Sequence, residues 1–270
     1  MPRSVIAVVR LVGVAMHVTV GLMLVAVLFP LASHGIRAGC TRAWAAALLR
    51  LLGVERALAG IMPSAREEPT LLVANHISWL DVVALMSVGA TAFVAKREVR
   101  AWPLIGWMAE QTGTIFTTRS QRLDIARINH RVSAQLGAGV CVAVFPEGTT
   151  TDGATLLEFH SGLFEAARDS AARIWPAAIR YAQSDGSISH AADFLGEASL
   201  IESLWRIATA PTLRIHLTFA APLSTRGTHR REAAEEARAR IAALLGLALP
   251  VSPITDSKRL RKPRIYGETA

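Results

Sequence analysis

Cysteine is nearly absent from this 270-residue chain. Cys40 and Cys141 stand far apart in apolar settings, which argues against a disulfide framework and a cysteine-rich metal centre. The eight histidines are scattered, and none lies at metal-ligand spacing from His76, so a metal hydrolase is a poor reading. Aromatic residues are 6% and charged residues only 19%. No internal repeat and no long low-complexity linker is present, so the chain reads as one large domain with a small appendage. Negative charge is the scarcer sign: 21 Asp and Glu face 29 Lys and Arg, for a net charge of +8. A basic surface suits nucleic acid, anionic lipid or an acidic carrier protein. A mean hydropathy of +0.35, high for a soluble enzyme, turns the choice toward membrane contact.

What is there begins with a long apolar run. No formally charged residue occurs in the 21 positions from Leu11 to Leu31. About 20 apolar residues cross a bilayer as a helix, whereas a signal peptide has an apolar core of roughly 7–15 and a small-residue cleavage site. The run is longer than that, and no Ala-x-Ala pattern directly follows it, so it reads as a retained anchor. Pro30 interrupts it. A second helical run, "RAGCTRAWAAALLRLLGVERAL", then carries Arg37, Arg42 and Arg50 and resembles a helix lying in the membrane interface. Residues 1–57 are therefore expected to form an anchoring helical pair, either spanning or monotopic. Cations after the run favour a cytoplasmic catalytic domain at an inner membrane.

From about residue 66 the texture changes. Short apolar runs, "TLLVAN", "TAFVAK", "GTIFTT", "VCVAVF", "RIWPAAIRY" and "LRIHLTF", alternate with helical patterns. This predicts an α/β domain over residues 66–250, with a mostly parallel central sheet flanked by helices. The tail, 251–270, reads as basic and disordered, and "KRLRKPR" within it as a solvated segment or a contact to anionic lipid.

"NHISWLD", Asn75 to Asp81, leaves the first of these strands. Positions i and i+5 lie about 140° apart on a regular helix, so His76 and Asp81 meet only if the helix starts between them. Ser78 fits an N-cap with Asp81 at N3, as in a capping box. His76 then sits at a strand-to-helix mouth, where α/β sheets bind ligands. From there Asp81 can fix the imidazole, leaving the other ring nitrogen to take a proton. A capping box beside an ordinary loop histidine explains the same residues. Two further stretches carry polar groups. "VFPEGTTTDG" turns sharply after a strand, and presents Glu147, hydroxyls and backbone amides freed by Gly148. "KREVRAWPLIGWMAEQTGTIFTTR" sets basic residues beside Trp102 and Trp107, as in a membrane-facing groove or, alternatively, a tryptophan-filled core.

Together these stretches resemble the glycerolipid acyltransferase family, which includes the lysophosphatidic acid acyltransferases. His76-x4-Asp81 is similar to the family's first block, and Phe145-Pro146-Glu147-Gly148-Thr149 to its third. The Lys96–Pro103–Gly106–Gly113–Arg119 spacing resembles the second, and "IWPAAI", with Pro176, the fourth. The resemblance covers roughly residues 66–225. It implies His76 as general base, oriented by Asp81, on the free hydroxyl of a lysolipid that attacks an acyl-carrier-protein or coenzyme A thioester. It implies no metal, no cofactor beyond that co-substrate, no acyl-enzyme and no nucleic acid partner. It gives the acceptor to Glu147, Gly148 and Thr149, and its anionic group to Arg119; Lys96 and the neutral hydroxyl of Thr150 complete the expected substrate-binding set. Where the common third block continues with arginine, this chain has Thr150, then Thr151-Asp152-Gly153. That version, with "FHSGLF" later, resembles the lyso-ornithine lipid acyltransferase branch. It leaves 1-acylglycerol-3-phosphate and lyso-ornithine lipid both open as acceptors. An inactive membrane scaffold is the alternative from another class, and the polar residues at three loop mouths speak against it.

Overall fold

A computed structural model describes residues 2–62, 68–90, 92–117 and 122–249 of the chain; the predicted tail lies outside these residues. Helix α1 (Arg3–Met23) runs on through a π-helical turn, Leu24–Leu28, before Pro30 interrupts the chain. Helix α2 (His34–Leu51) folds back against it. The stretch Arg3–Leu28 is long and apolar enough to cross a membrane by length and composition. Two of its polar residues, Arg10 and His17, face the protein. The His17 ring lies 5.1 Å from that of Trp44; Trp44 Nε1 donates to the His17 carbonyl, and His17 Nε2 bonds the Trp44 carbonyl. Arg10 donates to the carbonyls of Ala208 and Ala210, placing a cation at a helix C-terminus, where the macrodipole favours it. The opposite side, with Val9, Val12, Met16, Val20, Met23 and Val27, is exposed.

The second helix is shorter than its apolar pattern suggests. It ends at Leu51, Gly53 takes a left-handed conformation (φ 74°), and Val54–Gly60 continues as strand β1. The helical reading of "VERAL" is therefore corrected, and a boundary at residue 57 falls inside this strand. The strand gains parallel pairing over its whole length with β7 (Leu213–Phe219), a long-range contact that local periodicity does not encode.

Six further strands match the apolar runs: β2 (Thr70–Ala74), β3 (Ala92–Lys96), β4 (Ile115–Thr117), β5 (Val142–Val144), β6 (Arg173–Ala182) and β7. Among the described residues they form one seven-stranded sheet in the order β1-β7-β6-β2-β5-β3-β4. Every neighbouring pair is parallel except β6 with β7. Strand β2 is buried along its whole length because both faces are covered, as parallel sheets require. Leu72 and Ala74 point into one core with α2, α3 (Trp79–Met86) and α8 (Leu200–Thr209). Leu71 and Val73 point into the other, with α6 (Arg122–Gly137), α7 (Phe164–Asp169) and α9 (Arg230–Leu245). Two short helices, α4 (Arg97–Arg100) and α5 (Ile105–Gln111), join β3 to β4; the sequence reading assigned no helix there.

The strands β5 and β6 flank β2 on opposite sides, so the chain between them passes the carboxyl end of β2. At that end Asn75 continues the sheet with its side chain. Its buried amide donates to the Ile179 carbonyl (3.0 Å) and accepts from the Ile179 N–H (2.7 Å), one step past the last backbone pair, Ala74 with Ala177. Asn75→Ala strips partners from two buried backbone groups, at about 1–3 kcal/mol each. Denaturant unfolding should show a loss of roughly 2–4 kcal/mol. A loss below about 0.5 kcal/mol, the usual surface range, would contradict this role.

Candidate active site

Ser78 starts α3 from an extended conformation, and its hydroxyl accepts from the Leu80 N–H. Asp81, at the third helical position, completes the capping box by accepting from the Ser78 N–H (2.8 Å). The same oxygen, Oδ2, accepts from the Ile77 N–H (2.7 Å) and meets His76 Nδ1 (2.9 Å). Its partner oxygen, Oδ1, accepts from the Tyr181 hydroxyl (2.6 Å). Asp81 is wholly buried, so these four donors do the work that water does for an exposed carboxylate. A carboxylate only accepts, so Nδ1 carries the proton and Nε2 is left with a lone pair. The capping-box and dyad readings of these residues describe one carboxylate with both tasks.

The imidazole keeps about a fifth of its surface, 20%. Phe145 stacks beneath it, with centroids 3.9 Å apart and planes 11° from parallel, and Phe93 backs Phe145 at 6.4 Å. The turn after β5 supplies Phe145. Pro146 fixes its second position, and the Gly148 N–H closes it on the Phe145 carbonyl, with Gly148 at φ 71°. The turn is also fastened to the loop that carries His76. Glu147 Oε1 accepts from the His76 N–H (2.8 Å), and Oε2 from the Leu157 N–H (2.9 Å). The Thr151 N–H donates to the His76 carbonyl (2.8 Å). A third segment closes over both, because the Phe194 N–H donates to the Ile77 carbonyl and Thr150 Oγ1 donates to the Phe194 carbonyl.

The structure thus brings together His76, Asp81 and Glu147, with Gly148, Thr149 and Thr150 on the same turn. Glu147 is buried, with both oxygens on backbone N–H groups, which makes it a strut under His76. Thr150 turns its hydroxyl to the Phe194 carbonyl. Thr149 is exposed and Gly148 half-buried at the rim. Lys96 is exposed at the carboxyl end of β3, two strands from β2 on the same edge of the sheet. Arg119 lies outside the described residues. Sequence reasoning passed over Tyr181, 100 residues from Asp81, because a tyrosine in an apolar strand reads as core. Among the described residues no group of three or more His, Cys, Asp or Glu is placed to hold a metal ion.

The sequence profile of the acyltransferase family matches residues 56–180. Two relatives are similar over most of their lengths. A lyso-ornithine lipid O-acyltransferase of Pseudomonas aeruginosa is 38% identical over 216 residues, 80% of this chain and 82% of that one. A 1-acyl-sn-glycerol-3-phosphate acyltransferase of Neisseria meningitidis is 35% identical over 192 residues, 69% of this chain and 75% of the other. The crystal structure of the 1-acyl-sn-glycerophosphate (LPA) acyltransferase PlsC from Thermotoga maritima shares the fold. Its TM-score is 0.66 at 18% identity, over 90% of this chain and 96% of that one. The chain belongs to the acyltransferase family, and it is an O-acyltransferase.

Burial raises the Glu147 carboxyl above its ordinary 4.5, and the N–H groups of Leu157 and His76 offset this in part. On acidification the folded protein therefore takes up this proton before the unfolded chain does. Stability contributed by this group falls as pH rises through the interval just above 4.5. Glu147→Ala should remove that slope. At neutral pH it should also cost roughly 2–5 kcal/mol, from two unpartnered N–H groups and the space left behind. Unfolding curves at several pH values check both effects, and an unchanged midpoint at neutral pH contradicts the strut.

Proposed function

We propose that this chain transfers a fatty acyl group from an acyl-carrier-protein or coenzyme A thioester to the free hydroxyl of a lysolipid, at a membrane surface. The observation that carries the reading is the His76–Asp81 pair at 2.9 Å, with the carboxylate buried and the ring partly exposed. As His76 Nε2 takes the hydroxyl proton, the acceptor oxygen bonds to the acyl carbon. The carbon–sulfur bond breaks, and the thiolate leaves and is reprotonated from the imidazolium. Asp81 holds the ring in register and stabilises the imidazolium, so the protein supplies no nucleophile of its own.

The acceptor reading rests on the relatives. One is named for lyso-ornithine lipid and another for 1-acyl-sn-glycerol-3-phosphate, at similar identities. Thr150 stands where the lysophosphatidic acid pattern has arginine, and its hydroxyl is engaged elsewhere. The described turn therefore offers a head group Gly148 and Thr149 but no guanidinium, with Lys96 and Arg119 as the cations of the proposed head-group site. Such a rim discriminates weakly against a zwitterionic head group. The two kcat/KM values for lyso-ornithine lipid and lysophosphatidic acid should differ by no more than about tenfold, or ~1.4 kcal/mol. A ratio above roughly a thousandfold would contradict this.

Membrane attachment is assigned to the exposed apolar side of α1, and supported by Leu104, Ile105 and Trp107 beside Arg97 and Arg100. Met108 of α5 lies next to Gly21 of α1, so the two apolar surfaces adjoin. The cations Arg37, Arg42 and Arg50 after the run favour an inner membrane with the catalytic domain in the cytoplasm.

Two measurements test the proposal. His76→Ala should fold normally and lose roughly 10²–10⁴-fold in kcat, the span of general-base loss, while wild-type turnover persists in chelator. Near wild-type turnover by the folded variant would end the mechanism. Val12→Asp with Met16→Asp, both on the exposed side of α1, should move the protein from the membrane pellet to the supernatant. Unchanged sedimentation in high salt would overturn the anchor.

A further inference from the structure

Strand β6 crosses beneath the start of α3, on the face of the sheet that carries Leu72 and Ala74. Tyr181 projects from it into that core and is 2% exposed. Its only oxygen lies 2.6 Å from Asp81 Oδ1. Oδ2 is occupied by His76 Nδ1 and two backbone N–H groups. Among the described residues the tyrosine is the one donor to Oδ1, and it comes from a strand distant in sequence. A phenol in an otherwise apolar core position has a cost that phenylalanine avoids, unless the hydroxyl has a partner.

We infer that Tyr181 is a positioning residue of the acyl transfer: through its hydrogen bond to Asp81 it fixes the carboxylate so that Oδ2 faces His76 Nδ1 along the reaction. The inference rests on the reading of His76 as the base. With both oxygens held, the carboxylate cannot rotate about its Cβ–Cγ bond without breaking four hydrogen bonds. The Tyr181 donor also draws charge toward Oδ1, which limits how strongly Oδ2 attracts the proton on Nδ1. Burial foremost, then the charge of Asp81, raises the phenol well above its usual range, so it stays a donor at any working pH.

Among the described residues, the titratable groups around the imidazole include Asp81 from α3, Tyr181 from β6 and Glu147 from the turn after β5. Asp193, paired with His190 and influenced by Asp152 and Arg206, acts on Tyr181 from the segment before α8.

Tyr181→Phe keeps the ring and removes the hydroxyl. It should lower kcat roughly 10-fold to 100-fold, the range a hydrogen bond to a charged group supports. KM should stay within twofold. Oδ1 without its donor leaves more charge on Oδ2, so the acid limb of the kcat/KM profile should move to higher pH. In an Asp81→Asn background the same substitution should cost less than twofold, because the hydroxyl acts through the carboxylate. Multiplicative losses in that double variant, or an unmoved acid limb, overturn the inference. Should Tyr181→Phe fail to fold, 3-fluorotyrosine keeps the hydroxyl and strengthens it as a donor. The chain has only one other tyrosine, Tyr266, so global replacement is nearly site-specific. The acid limb should then move to lower pH, and an unmoved limb counts against the role. His76→Ala in the same assays separates the two ideas. Turnover without His76 removes the base reading, whereas loss in His76→Ala with none in Tyr181→Phe removes only the role of Tyr181.

Discussion

A carboxylate with no access to water organises this protein. Asp81 is buried at the first turn of α3, where an unpartnered charge would cost several kcal/mol. Four hydrogen bonds make the position tenable: two from backbone N–H groups at the helix start, one from a ring N–H and one from a phenol. The requirement runs in both directions. The helix N-terminus needs an acceptor for its free N–H groups, and the acceptor needs donors that the neighbouring strand and loop must deliver. The imidazole oriented by this carboxylate is held by the same acceptor that begins the helix.

The rest of the sheet serves that junction. Strand β2 is short and buried on both faces, so its end is fixed, and Asn75 locks it to β6 just before His76. The turn after β5 approaches from the other side, with Phe145 under the ring and Glu147 under its backbone. The 190s segment closes across both through Phe194. Three elements far apart in sequence thus hold one imidazole between backbone hydrogen bonds, and leave one side of it open. The N-terminal helix connects to the same framework, since Arg10 of α1 caps the end of α8, and Ser203 of α8 accepts from Trp79 at the start of α3.

Much of this was legible in the sequence because local rules and tertiary structure agree there. The alternation of apolar runs and helical patterns gave six of the seven strands and the larger helices of the domain. Ser78 and Asp81 fixed the start of α3, and that start brings His76 and Asp81 together. The remainder depends on long-range pairing. The stretch Val54–Gly60 has no alternation of its own and becomes a strand only against β7. The family resemblance gave Glu147 to the acceptor. Here two backbone N–H groups from other segments draw it inward. Thr150 looked free for the acceptor, and Phe194 takes its hydroxyl. Tyr181 had no local signal at all, since its partner is 100 residues away.

The central claim is that Asp81 sets the proton of His76 on Nδ1 and leaves Nε2 to act as base. The most direct measurement is nitrogen NMR of the protein with labelled histidines, with His76→Ala used to assign its signal among the eight. The neutral ring should be the Nδ1–H tautomer, with the Nε2 shift of an unprotonated nitrogen, and Asp81→Asn should reduce that preference. A neutral His76 protonated on Nε2 in the wild-type enzyme would contradict the account.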